Sequence, residues 1–242
     1  MIEGGTRLVG LLGDPVSGSL SPRMQNAAFA ARGLNWAYLP MPVAADGLED
    51  AVSGLVALGF AGANVTAPHK EAVARLCDDA EDDSVNTLVV DAGRIIGSNT
   101  DREIVAGLEA TRICLIGAGG AAKALLGALP GEVRVFSRRG DWPPDAAECD
   151  AIVNATPVRD ELLVQPRAEQ AVVDLAYNAD GSDTALVAAA RQAGCATVVD
   201  GLEVLVRQGA ASLRIWTGLE PPIETMRRAA TAGWESSSAP DT

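Results

Sequence analysis

Ile113-Cys-Leu-Ile-Gly117-Ala-Gly-Gly-Ala-Ala122 is the stretch that decides the fold. Ile113 to Ile116 is an apolar run that fits a buried strand, the glycines permit a tight turn, and a pattern of helical spacing continues to Leu129. Strand, glycine turn and helix make the repeating unit of parallel α/β sheets. Where side chains are missing, at Gly117, Gly119 and Gly120, with Ala118 and Ala121 between and after them, the backbone can approach a pyrophosphate at a helix N-terminus. The next strand, Val133 to Phe136, ends at Ser137-Arg138-Arg139, about 20 residues after Gly117, where an NAD-binding turn would place an acid on the ribose. Two arginines stand there instead. They suit a 2′-phosphate through charge-assisted bonds, so the expected cofactor is NADP(H).

Two earlier junctions carry chemistry of another kind. Gly62-Ala-Asn-Val-Thr-Ala-Pro-His-Lys70 closes a strand and opens a helix, with Lys70 in the first turn. A cation there opposes the helix dipole at about 0.3–1 kcal/mol, so the position suggests a role other than helix stability. Gly97-Ser-Asn-Thr-Asp101 does the same with a carboxylate. A lysine, an aspartate and a nicotinamide site together point to interconversion of an alcohol and a carbonyl.

The segments before residue 102 alternate between strand and helix: Leu8 to Leu12, a helix after Pro22, Trp36 to Met41, Leu48 to Leu58, Ala63 to Thr66, Lys70 to Leu76, and Val85 to Asp91 turning at Ala92-Gly93 into Arg94 to Gly97. A mostly parallel sheet follows, and in such sheets ligands gather at the carboxyl ends of strands. Ser19, Asn64, Thr66, Lys70, Asn86, Asn99 and Asp101 all follow strand ends and are expected to converge on one pocket. Ser21 reads as a helix cap with Pro22 at the first helical position. Two hydroxyls at that helix start, Ser19 and Ser21, suit a carboxylate. Asn64 and Asn86 suit the hydroxyls of a small polyol. His69 reads as a packing or surface residue.

Composition narrows the class. At 242 residues, 48% apolar and 21% charged, the chain has the make-up of an ordinary soluble protein, with no apolar run long enough for a membrane span and no basic secretory start; a cytoplasmic location is expected. A net charge of −13 without a basic stripe argues against nucleic-acid binding. Cys77, Cys114, Cys149 and Cys195 are widely spaced and there is a single histidine, so reduced thiols and no metal site are expected.

The chain resembles the shikimate dehydrogenase family. The motifs occur in that family's order: Ser19-Leu-Ser-Pro22, Asn64-Val-Thr-Ala-Pro-His-Lys70, Val85-Asn-Thr87, Asn99-Thr-Asp101, the glycine turn, Asn154-Ala-Thr-Pro157, and Asp200-Gly-Leu202 running on to Gln208. The resemblance implies two α/β domains: residues 1–101 with 219–235 as the substrate-binding catalytic domain, and 102–218 as a Rossmann-type dinucleotide-binding domain. The last stretch, 236–242, is expected to be a disordered tail. It implies that Ser19 and Ser21 hold a substrate carboxylate, that Asn64, Thr66 and Asn86 belong to the substrate site, and that Tyr177 and Gln208 reach substrate. Asn154, Ala155, Thr156 and Gly201 would lie by the cofactor, with Ser137, Arg138 and Arg139 around its 2′-phosphate. Lys70 would exchange a proton with the reacting oxygen while Asp101 orients it. The implied reaction is reversible reduction of 3-dehydroshikimate to shikimate by NADPH, in aromatic amino-acid biosynthesis, by a monomer or homodimer. Quinate or aminoshikimate dehydrogenases, and a non-catalytic NADP(H)-binding sensor, are the alternatives. The chain departs from the family in its short segments at 78–84, 102–111 and 140–149, in Arg102 and Glu203, and in Val158-Arg159.

Overall fold

The computed structural model describes residues 2–178 and 180–232; the expected tail at 236–242 and the end of the 219–235 segment lie outside them. The chain divides into two compact units, one formed by residues up to Thr100 and from Val206 onward, the other by Asp101–Leu205.

In the first unit β1 (Arg7–Gly13), α1 (Ser21–Ala31), β2 (Trp36–Pro42), α2 (Leu48–Ala57), β3 (Gly62–Val65) and α3 (Lys70–Ala74) alternate, then β4 (Asp79–Ala80) precedes the hairpin of β5 (Thr87–Asp91) and β6 (Arg94–Ser98). The sheet runs β2-β1-β3-β5-β6-β4. Its β2-β1-β3 part is parallel, the hairpin is antiparallel to β3, and β4 lies parallel to β6. The hairpin turns at Ala92 and Gly93, with φ of 48° and 81°, the pair of positive angles that matches strand twist. One face of the sheet packs Leu12, Ala63, Val65 and Leu88 against Leu48, Val52 and Leu55 of α2 and Val73 of α3.

The outer edge of this sheet is closed chemically. Val43 N–H bonds to Gly13 O in β1, so along β2 the odd positions face β1 and the even ones, Tyr38, Pro40 and Pro42, face outward. The two prolines have no N–H to offer there. Both backbone groups of Tyr38 are taken by the Asn26 side chain, at 2.8 and 2.9 Å. An open strand edge invites pairing with another chain, and this one has little to pair with.

The second unit follows the alternation read from the glycine turn: β7 (Arg112–Ile116), α4 (Gly120–Leu126), β8 (Glu132–Phe136), β9 (Ala151–Asn154), β10 (Ala171–Asp174), α5 (Ala185–Ala193) and β11 (Val198–Val199). All its strands are parallel, in the order β11-β10-β9-β7-β8. Both faces of the central strands β7, β9 and β10 are covered, which is why these strands are apolar without alternation. Ile113, Leu115, Val153 and Val173 meet Leu125 and Val204 on one side, while Cys114, Ile116, Ile152 and Val172 meet Leu186 and Ala190 on the other. Helix α4 stops at Leu126, short of the expected Leu129, with Gly127 as its cap. Thr184 caps α5, accepting from Val187 N–H at 3.2 Å.

The chain then forms α6 (Gly201–Thr217) and α7 (Ile223–Thr231). The division into units falls inside α6, so 206–217 goes with the first unit, and Asp101 with the second, unlike the boundaries expected from the sequence. The physical reason for the helix is visible in its side chains: Ser212 bonds to Asn64 and Trp216 Nε1 donates to Leu88 O at 2.9 Å. Gly62 is required by the same contact, since a Cβ there would collide with Leu88 O and the Trp216 indole.

Candidate active site

In the first unit the strand order reverses about β1, with the successive connections of β1 going to opposite neighbours, and the junctions after β1 and β3 sit together at that switch point. Asp14 N–H bonds to Ala67 O, and a side chain on Gly13 would collide with the Thr66 methyl. The loop from β1 leads to Ser19 and Ser21, the loop from β3 to Thr66 and Lys70.

Ser21 is not the helix cap it was expected to be. Leu20 occupies that position with no side-chain bond, Ser21 is already helical, and Ser19 Oγ accepts from Ser21 N–H at 3.2 Å. Tyr38 donates to Asn64 Oδ1 at 2.8 Å. Asn64 Nδ2 faces Asn86 O and Thr87 Oγ1, each at 3.1 Å, and Ser212 Oγ at 2.9 Å. Asn86 Oδ1 accepts from Thr87 Oγ1 and from both N–H and Oγ1 of Thr100, all within 2.9–3.0 Å. Ser212 Oγ donates to Gln208 O at 3.0 Å. Four elements thus meet in one polar network: β2, β3, the start of β5 and α6.

Of the expected substrate residues, this network brings together Asn64 and Asn86 through their side chains and Gln208 through its backbone, while Ser19 and Ser21 stand at the start of α1. Thr66 and Lys70 continue from the end of β3, both partly buried, while His69 is buried with Nε2 against Val43 O at 2.6 Å. Tyr38, Thr87, Thr100 and Ser212 were missed by the sequence reading. Tyr38 and Thr87 sit in apolar strand runs, and Ser212 is a buried hydroxyl between Ala211 and Leu213; that polar interruption of an apolar face was the signal. Burial pushes the Tyr38 phenol well up, so it stays a donor.

The second unit holds the other residues. Its strand order reverses between β7 and β9, and the turns after those strands touch. Gly117 has φ 120°, and a Cβ on it would sit 3.1 Å from Ala155 O and 3.3 Å from the Thr156 methyl. Asn154 shapes the neighbouring turn: Oδ1 accepts from Thr156 N–H and Oγ1 at 3.0 and 2.7 Å, while Nδ2 donates to buried Asp174 at 2.9 Å. Asp174 also accepts from Thr184 Oγ1 at 2.5 Å and Ala176 N–H at 3.0 Å, and burial still raises its pKa above the ordinary aspartate value. Beside the turn, Gly119 and Gly120 face open space where added side chains would meet nothing within 4 Å.

Ala118 is exposed and Ala121 half-buried in the same turn. At the end of β8, Arg138 and Arg139 are exposed; the Arg138 guanidinium lies 5.7 Å from the Trp142 ring centroid and 3.6 Å from Glu161. Ser137 N–H closes that loop on Asp141 O. The geometry fits a dinucleotide: an open, glycine-lined turn at the switch point, with cations after the next strand. Gly201 is explained by packing, because a side chain there would collide with Ala176 O and approach Tyr177. Tyr177 is half-buried next to it, and Asp101 is buried in a 3-10 turn at Thr100–Val105.

Among the described residues no cluster of His, Cys, Asp and Glu could hold a metal ion, and no helix is long and apolar enough to cross a membrane. All four cysteines are free thiols. Burial raises the Cys77 thiol to about 11 and the Cys114 thiol to about 12.

Comparison with known proteins gives a consistent result. Residues 11–90 match the family model of the shikimate dehydrogenase substrate binding domain, and residues 201–231 that of the shikimate 5′-dehydrogenase C-terminal domain. The chain is 42% identical to shikimate dehydrogenase (NADP(+)) of Rubrobacter xylanophilus, over 94% of this chain and 96% of that one. It is 40% identical to the protein of the same name from Anaeromyxobacter dehalogenans, over 96% and 98%. The crystal structure of Thermus thermophilus shikimate 5-dehydrogenase in complex with NADP(H) and shikimate superposes with a TM-score of 0.83, at 31% identity, covering 94% of this chain and 99% of that one.

Proposed function

Because the chain belongs to the shikimate dehydrogenase family, we propose that it catalyses the reversible, NADP-dependent reduction of 3-dehydroshikimate to shikimate. The observation that carries this reading is the polar network at the carboxyl end of the first sheet. It joins Asn64 and Asn86, which suit ring hydroxyls, and the loop from β1 beside it leads to Ser21, at a helix start suited to a carboxylate. Lys70 opens α3, four residues of loop and turn after β3 ends at Val65.

NADPH, when bound, supplies the hydride. Gly117, Ala118, Gly119, Gly120 and Ala121 would hold its pyrophosphate, Arg138 with Ser137 and Arg139 the 2′-phosphate, and Asn154, Ala155, Thr156 and Gly201 the remainder. Guanidinium and phosphate make strong, charge-assisted pairs, so Arg138 favours NADPH over NADH. Ser19 and Ser21 donate to the substrate carboxylate. Asn64, Thr66, Asn86, Tyr177 and Gln208 orient the ring so that one carbonyl is presented for reaction. The Lys70 ammonium donates a proton to the carbonyl oxygen as negative charge develops on it, and takes it back in the reverse direction. Asp101 is the orienting carboxylate.

The test is reduction of 3-dehydroshikimate and of 3-dehydroquinate by NADPH and by NADH, with Lys70→Ala alongside. Turnover selective for NADPH and 3-dehydroshikimate is expected. Lys70→Ala should lower kcat by orders of magnitude with a modest change in KM, the pattern of a lost transition-state interaction. Preference for 3-dehydroquinate, or NADPH binding without turnover, would refute the proposal.

A further inference from the structure

We propose that Tyr38 is a positioning residue for substrate recognition, its hydroxyl fixing Asn64 so that this amide meets a substrate hydroxyl only through its carbonyl oxygen. The inference rests on the reading above, in which Asn64 faces a ring hydroxyl and Ser21 the carboxylate.

The argument is one of donor and acceptor capacity. The backbone carbonyl of Asn86 can only accept, and it lies 3.1 Å from one terminal atom of the Asn64 side chain; that atom must be the nitrogen. Nδ2 carries two hydrogens and has three acceptors in reach, Asn86 O, Thr87 Oγ1 and Ser212 Oγ, so its donor capacity is consumed inside the protein. Oδ1 has two lone pairs, and the Tyr38 hydroxyl engages one at 2.8 Å. The second lone pair is what Asn64 can present, and a hydroxyl meeting it has to donate.

Tyr38 is itself held at both ends. Asn26 grips its backbone N–H and C=O, and its ring packs 6.1 Å, centroid to centroid, from Trp216. Burial keeps the phenol protonated, so it donates to Asn64 at 2.8 Å. Without that hydroxyl, Asn64 Oδ1 loses its internal donor and the amide must find a new partner before substrate can be recognised.

Tyr38→Phe tests this, because it removes one oxygen and keeps the ring. With NADPH and 3-dehydroshikimate, KM is expected to rise about tenfold, the effect of one misplaced hydrogen-bonding group, with kcat within about twofold. Placed on Asn64→Ala, Tyr38→Phe should leave KM where Asn64→Ala alone sets it, since the two act through one amide. Thermal unfolding of each variant is read in parallel. A KM unchanged in Tyr38→Phe, or an equal increment of KM in the Asn64→Ala background, would overturn the inference while leaving the proposed function intact. A wild-type protein inactive on 3-dehydroshikimate would overturn both.

Discussion

At the scale of single residues, Asp174 illustrates how a buried carboxylate organises a turn at a cost. It is fully buried, accepts from Asn154, Thr184 and Ala176, and through Asn154 fixes Thr156 beside Gly117. Three hydrogen bonds favour its ionised form, yet desolvation outweighs them and its pKa lies above the ordinary 3.8. The sign of the linkage follows. Between 3.8 and the raised value the folded state binds more protons than the unfolded state, so stability falls as pH rises through that window, and the full penalty persists above it. Asp174→Asn carries no such penalty, and Thr184 Oγ1 can turn from donor to acceptor. Urea unfolding over a pH series should show the variant gaining stability relative to wild type from about pH 4 upward and then levelling. A difference that is flat with pH, or shrinks, would contradict this account of the residue.

At the scale of elements, β2 matters most, since it is both the edge of its sheet and the carrier of Tyr38. Its outward positions are blunted by Pro40, Pro42 and the Asn26 clamp. Asn26→Ala strips two backbone partners at once and should destabilise the first unit by about 1–3 kcal/mol while increasing self-association. Equilibrium unfolding together with light scattering checks both effects; unchanged stability would show that water replaces the clamp without loss. The strand itself was legible in the sequence, as were β7 and β8, because apolar runs are local signals. What was not legible depended on distant partners. Ser21 has every local mark of a cap, but the helix takes it in and the cap position falls on Leu20. The two residues of β4 gain their strand geometry from β6, and no periodicity announces them.

At the scale of the whole molecule, the motifs at 19–22, 64–70, 99–101 and 117–122 placed the candidate site at strand ends, and the strand orders of both sheets put switch points there. The supporting hydroxyls of Thr87, Thr100 and Ser212 were hidden, because a threonine in a strand or a serine in a helix reads as filler until its partner is known. The net charge of −13 sets a repulsive background for anionic ligands, against which local cations such as Lys70, Arg138 and Arg139 have to act. The central claim is direct hydride transfer from NADPH to the carbonyl carbon of 3-dehydroshikimate. It is tested most directly by supplying NADPH deuterated at both positions of nicotinamide C4 and analysing the product by mass spectrometry. The account predicts shikimate heavier by a single deuteron on the former carbonyl carbon. Unlabelled shikimate, or no shikimate at all, would contradict it.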